Sequence, residues 1–193
     1  NGKNLINENG RILYIYDQVL DRVFTKTDID QALTAENRED ARMMLPSADG
    51  SGHGTAVAGI AAGNGRESGG KYRGAAFNSN LIVIRLGIAE ADGFPRTTQV
   101  MRGLDFVVRK AEELKKPLAV NLSFGNTYGS HDGNGLFERY IDQIADIGRS
   151  VIVIGTGNEG DKAGHTGGVL AEQISQNVEL SAAPYETGFD VQL

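Results

Sequence analysis

The sequence predicts an α/β domain built on a parallel sheet with helices on both faces, and three observations carry that prediction. Apolar runs at 81–86, 118–123 and 151–154 lack the alternation of a half-exposed sheet, as expected for strands covered on both sides. Amphipathic stretches at 97–115 and 134–148 separate those runs, giving strand, helix, strand, helix, strand. Glycine is abundant, 26 residues against 4 prolines, and gathers at 50–74, 125–135 and 155–168, where short loops would join the elements.

Taken in order, Arg11–Tyr16 reads as a strand, and the polar stretch 26–45 as carrying a short helix capped by Thr27 or Asp28. Residues 53–62 are small and apolar, so a buried helix is expected, close to other backbone. Leu81–Leu86 is the next strand. Val100, Leu104, Val107, Val108, Ala111 and Leu114 then recur at helical spacing, ending in Lys115-Lys116-Pro117. A strand at 118–123 precedes a helix with Leu136, Tyr140, Ile144 and Ile147 on one face, and Val151–Ile154 is the last strongly apolar strand. Ligands of open parallel sheets bind outside the carboxyl ends of the strands. That rule sets the segments starting at Gly87, Ser123 and Gly155 along one rim. From residue 169 the character changes, and Val178–Ser181 and Phe189–Leu193 alternate like antiparallel strands. The expected organisation is an incomplete main domain over 1–168 and the start of an antiparallel β insertion over 169–193. A sheet lacking flanking strands exposes edges through which chains associate.

Composition excludes several function classes. With 19 Lys+Arg against 25 Asp+Glu the 193-residue chain carries a formal charge of −6, and no basic stripe suits a nucleic-acid backbone. The absence of cysteine removes disulfides, thiolate metal sites and a Cys nucleophile. No apolar run approaches the roughly 20 residues of a membrane span, and no signal-peptide pattern opens the chain. It starts in polar sequence at Asn1, as a cut piece of a longer protein would.

Three segments could do chemistry. Asp49-Gly-Ser-Gly-His53-Gly-Thr55 places a histidine after a flexible loop and at the start of a small-residue helix. A general base needs such a fixed, accessible imidazole with a pKa near neutrality. Gly155-Thr156-Gly157-Asn158 directly follows a strand. The Asn158 amide there can donate to a developing oxyanion, or it can simply occupy a left-handed turn. Asn121-Leu122-Ser123-Phe124-Gly125 also ends a strand, and its edge suits pairing with an extended peptide. Ser123 lacks the glycine spacing of a nucleophile elbow, so it is not expected to be the attacking group. The loop Gly63–Gly74 offers Glu67 as its one carboxylate, too few for calcium. His131 and His165 lack a third ligand pattern. No metal or cofactor is therefore expected, and a dinucleotide site lacks its strand–glycine–helix context.

His53-Gly-Thr-Ala-Val-Ala-Gly59, Ser123-Phe124-Gly125 and Gly157-Asn158-Glu159-Gly160 resemble, in that order, the histidine, substrate-strand and oxyanion motifs of subtilisin-like serine proteases. Arg11–Gln18, Gly63–Arg66 with Tyr72–Gly74, and Tyr128–Gly133 look like the clostridial subtilases, the branch that includes the Csp germination proteases. The resemblance implies a three-layer subtilisin-like fold with a jelly-roll-type insertion after the asparagine. It implies His53 as general base and Asn158 as oxyanion donor. Ser123, Phe124 and Gly125 would pair with the substrate, and Gly155, Thr156 and Gly157 would wall the primary specificity pocket. The segment after Leu86 would border more distant subsites. Partners implied are a protein or peptide substrate and the protein's own pro-segment, in an extracellular, cell-surface or spore-associated setting.

The family's Asp-Thr/Ser-Gly and Gly-Thr-Ser-x-Ala/Pro motifs do not occur in these residues. Asp17 and Asp49 match other positions of the pattern, and both read as structural. The chain alone is thus expected to be inactive, as a segment of a serine endopeptidase. The alternative is a pseudoprotease that binds peptides or signals without turnover; retention of His53 and Asn158 favours the enzyme.

Overall fold

The computed structural model describes residues 10–87, 96–123, 132–147, 149–158, 160–161 and 166–181. Strand β1 (Ile12–Asp17) turns back into β2 (Arg22–Thr25), an antiparallel hairpin that the sequence reading missed. Thr25 then caps helix α1 (Lys26–Thr34) in a capping box with Asp28, two residues before Thr27, the nearer of the expected caps. Asn37 caps a second short helix, α2 (Arg38–Met44), by accepting from the Glu39 and Asp40 amides.

After α3 (His53–Ala62), strand β3 (Leu81–Arg85) pairs parallel to β1, giving the order β2-β1-β3. Helix α4 (Thr97–Glu113), β4 (Leu118–Leu122), α5 (Leu136–Ala145) and β5 (Ser150–Ile154) complete the described elements. Strands β4 and β5 pair parallel in register, Leu122 opposite Ile154. The fold is therefore α/β with parallel pairing, as expected. Among the described residues, however, β3 and β4 do not pair, so there are two sheets instead of one.

The main core forms where the α4 stripe meets β4, β5 and α5. Val100, Leu104, Val108 and Ile144 are buried there, with Leu118, Val120, Leu122 and Ile152 packed against them. Only alternate residues of β4 and β5 join that core. Ala119, Asn121, Val151 and Val153 face the other way and are exposed among the described residues. The alternation that sequence lacked is supplied by packing: no described segment lies over the second face. A second cluster joins β1 to α4, where Phe106 meets Tyr14 edge-on and Tyr16 at a tilt, and Lys110 sits over Tyr14.

Two expectations are not seen among the described residues. Helix α3 is not buried: Ala62 is its one buried residue, and Ile60 is 80% exposed. Val178–Ser181 forms no strand, and neither does any other part of 166–181. Phe189–Leu193 lies outside the described residues. No helix among those described is long and apolar enough to cross a membrane.

Candidate functional site

The histidine loop is organised by one carboxylate. Asp49 accepts from the backbone amides of Ser51 (3.2 Å), Gly52 (2.9 Å) and Thr55 (2.8 Å), and from the Thr55 hydroxyl (2.7 Å). Gly52, the N-cap residue, sits at φ +77° and offers no capping side chain, so Asp49 does the capping from three residues upstream. Its negative charge lies at the end of α3 where the helix dipole favours an anion. The Thr55 hydroxyl and then the Thr55 amide hold the Asp49 carboxyl well below the usual carboxylate range. His53 is the first residue of α3 and is exposed; its amide donates to Ser51 Oγ at 3.2 Å.

The imidazole reaches across to the other half of the site. His53 Nε2 lies 2.9 Å from the carbonyl oxygen of Ser123. A carbonyl can only accept, so Nε2 is the protonated nitrogen in this arrangement. Ser123 presents its backbone to the histidine, while its hydroxyl accepts from Asn121 Nδ2 at 2.7 Å. The atom facing the imidazole is thus a carbonyl oxygen and not a nucleophile. Beside it, Gly155 N donates to Leu122 O at 3.0 Å, which sets the segment after β5 next to the segment after β4. Gly155, Thr156, Gly157 and Asn158 follow along that edge, all exposed, with Gly157 at φ +91°. Only a residue without a Cβ adopts that conformation freely. The structure therefore brings His53, Ser123 and Gly155 to one rim, with Asn158 three residues further on. Phe124, Gly125, His131 and His165 lie outside the described residues.

Asp17 is fully buried and occupied elsewhere. It accepts from the Val19 and Leu20 amides at 2.9 and 3.0 Å and from Arg85 Nη1 at 2.9 Å. Burial acts to raise its pKa, but the hydrogen bonds from Ser47, Arg85 and Leu20 and the Arg85 charge together lower it. No described carboxylate pairs with His53, and no described group of three or more His, Asp or Glu residues could hold a metal ion. Two shallow hollows, one lined by Asn64, Arg66 and Arg73 and one between α1 and α2, share no residue with the rim. An extended peptide held by strand pairing does not require a closed cavity.

The profile of the subtilase family matches residues 13–183. The chain belongs to the subtilase family. In three dimensions this subtilase chain is similar to the CspB protease of Clostridium perfringens, with a TM-score of 0.70 and 38% identity. The match covers 80% of this chain and 32% of that one, so the chain spans about a third of the length of that relative. Sequence reasoning found the histidine and asparagine motifs but missed what Asp49 does for the first and Asn121 for Ser123. The Asp49–Thr55 spacing was the available signal; nothing local marks Asn121.

Proposed function

We propose that this subtilase chain supplies the general base and the oxyanion donor of a serine endopeptidase. The observation that carries the reading is the 2.9 Å approach of His53 Nε2 to the Ser123 carbonyl, which puts the imidazole at the rim where the asparagine loop begins. The attacking serine, and the carboxylate that orients Nδ1, come from sequence beyond these residues. The serine hydroxyl gives its proton to Nε2 as its oxygen bonds the scissile carbonyl carbon. Asn158 donates to the resulting oxyanion, and the Nε2 proton leaves with the amine as the peptide C–N bond breaks. Water then repeats the sequence on the acyl-enzyme, regenerating the serine. To accept at Nε2, the His53 ring must turn from the Ser123 carbonyl with its proton on Nδ1, the tautomer that leaves Nε2 free.

Ser123, Phe124 and Gly125 pair with the main chain of a protein or peptide substrate, and Gly155, Thr156 and Gly157 form the facing wall. The pro-segment of the longer protein occupies the same groove before activation.

Fluorophosphonate labelling of the full-length, pro-segment-free protein tests the reading, because the reagent reports a serine activated by its base. Labelling is expected in the native protein and absent in His53→Ala. Asn158→Ala should lower kcat by roughly 100- to 1,000-fold with the protein still folded, the usual effect of losing one oxyanion donor. A folded native protein that does not label would leave a peptide-binding relative without turnover.

A further inference from the structure

Helix α3 carries the candidate base at its first residue, and among the described residues its hydrogen bonds to other segments lie at its two ends. The Asp49 bonds all fall within residues 49–55, so they travel with the helix and cannot fix it against a sheet. Among the described residues, two hydrogen bonds join α3 to the strands and their ends. One is the His53–Ser123 contact itself. The other is at the far end, where Arg11 Nη2 donates to the Ala62 carbonyl at 2.6 Å.

Arg11 is built for that place. Its own carbonyl accepts from Leu81 N at 2.7 Å, which ties its backbone to the entry of β3 beside β1. Its Nη1 donates to the carbonyls of Phe77 (2.6 Å) and Ser79 (3.1 Å), so one planar guanidinium serves three oxygens. The last carbonyls of a helix have no partners within it. Here Gly74, Ala75 and Ala76 donate to Gly63, Ile60 and Ala61 respectively, which leaves Ala62 to Arg11. A positive charge at this end also complements the helix dipole. The approach leaves no slack, since a Cβ on Gly74 would lie 2.6 Å from Ala62 N and 2.7 Å from Ile60 O.

We propose that Arg11 is a positioning residue for His53, acting through the C-terminus of α3; this rests on the protease reading given above. The ten-residue helix is a lever about 15 Å long, and a tilt of about 4° at the Arg11 end moves its first residue by about 1 Å. Misplacement by about 1 Å costs on the order of 100-fold in rate.

The experiment uses the full-length, pro-segment-free protein with Arg11→Ala and Arg11→Lys and a chromogenic peptide substrate. Arg11→Ala should lower kcat roughly 10- to 100-fold, leave KM within about twofold because the substrate strands are untouched, and regain part of kcat with millimolar methylguanidinium. Arg11→Lys, which keeps the charge but offers a point donor in place of the planar fork, should fall between. Native kcat in folded Arg11→Ala, or a loss that methylguanidinium does not relieve, would overturn the proposal. If Arg11→Ala does not fold, Arg11→Lys decides by the same kcat and KM criteria, and native kcat in it overturns the proposal. A native protein without turnover sinks the protease reading separately. Arg11 is then read from the His53 ring 15N signals, which should shift in the variant; unchanged signals overturn the proposal.

Discussion

Helices α3 and α4 are both rich in apolar residues and both lead to the rim, yet they are held in opposite ways. Helix α4 presents one stripe, Val100, Leu104, Val107, Val108 and Ala111, and buries all of it. Helix α3 is small and apolar on every side, and buries Ala62 alone. A stripe needs one neighbouring surface, and β4, β5 and α5 supply it. A helix apolar all round needs cover on all sides, and the described residues reach α3 chiefly at its two ends. The difference separates two jobs. Helix α4 supports the strands by hydrophobic packing, whereas α3 is joined to the strand ends, among the described residues, by the His53–Ser123 contact at one end and Arg11 at the other.

The comparison is most easily broken at Leu104, 2% exposed in the main core. Leu104→Ala should destabilise the chain by about 2–5 kcal/mol, the range for a buried leucine whose cavity only partly collapses, measured by urea denaturation. A smaller loss would mean that α4 is packed no better than α3. The next effect is at Asp17, which is fully buried while its partner Arg85 stays partly open. Asp17→Asn keeps the shape but removes the charge, and should cost about 2–4 kcal/mol by leaving Arg85 without its anion. Because the Asp17 pKa is lowered in the fold, its contribution is present above the unfolded value of about 3.9 and lost as pH falls through the lower folded value. The native chain should therefore lose stability in acid more steeply than Asp17→Asn.

How much of this was legible in sequence follows from the same contrast. The stripe of α4 and the runs at 81–86, 118–123 and 151–154 were readable because periodicity is local, and the helix and strands formed close to the expected bounds. The β1–β2 hairpin was missed because Gln18–Asp21 carries no glycine pair; the turn instead uses Asp21 at φ +47° and the two amide bonds to Asp17. Apolarity at 53–62 and at Val151 and Val153 says that a surface prefers cover, but not what supplies it. The motifs around His53, Ser123 and Asn158 were legible because residue type and spacing are local, and the structure brings His53, Ser123 and Gly155 to one rim. Arg11 and Asn121 act through contacts 51 and 2 residues away, and neither leaves a pattern to read.

A smaller effect probes the amino end of α3. Asp49 is held below the usual carboxylate range chiefly by Thr55, so its support of the first turn is complete above about pH 3.9, the unfolded value, and fails only as pH falls through its lower folded pKa. Amide exchange at Gly52 and Thr55, the donors to its carboxylate, should stay slow into that acid range in the native chain. In Asp49→Ala it should be fast at every pH. A native profile that loosens near pH 4 would mean that the hydrogen bonds do not hold the proton off.

The smallest effect is the sharpest test of the contrast itself. Ile60 is 80% exposed on α3, so replacing it removes little buried area, and alanine is the better helix former by about 0.4 kcal/mol. Ile60→Ala should leave the stability of this chain unchanged within about 0.5 kcal/mol, leaning toward stabilisation. The same isoleucine-to-alanine change in a packed core costs several-fold more. A loss above about 1 kcal/mol would show that α3 is packed in this chain after all, and the burden placed on Arg11 would shift to hydrophobic cover.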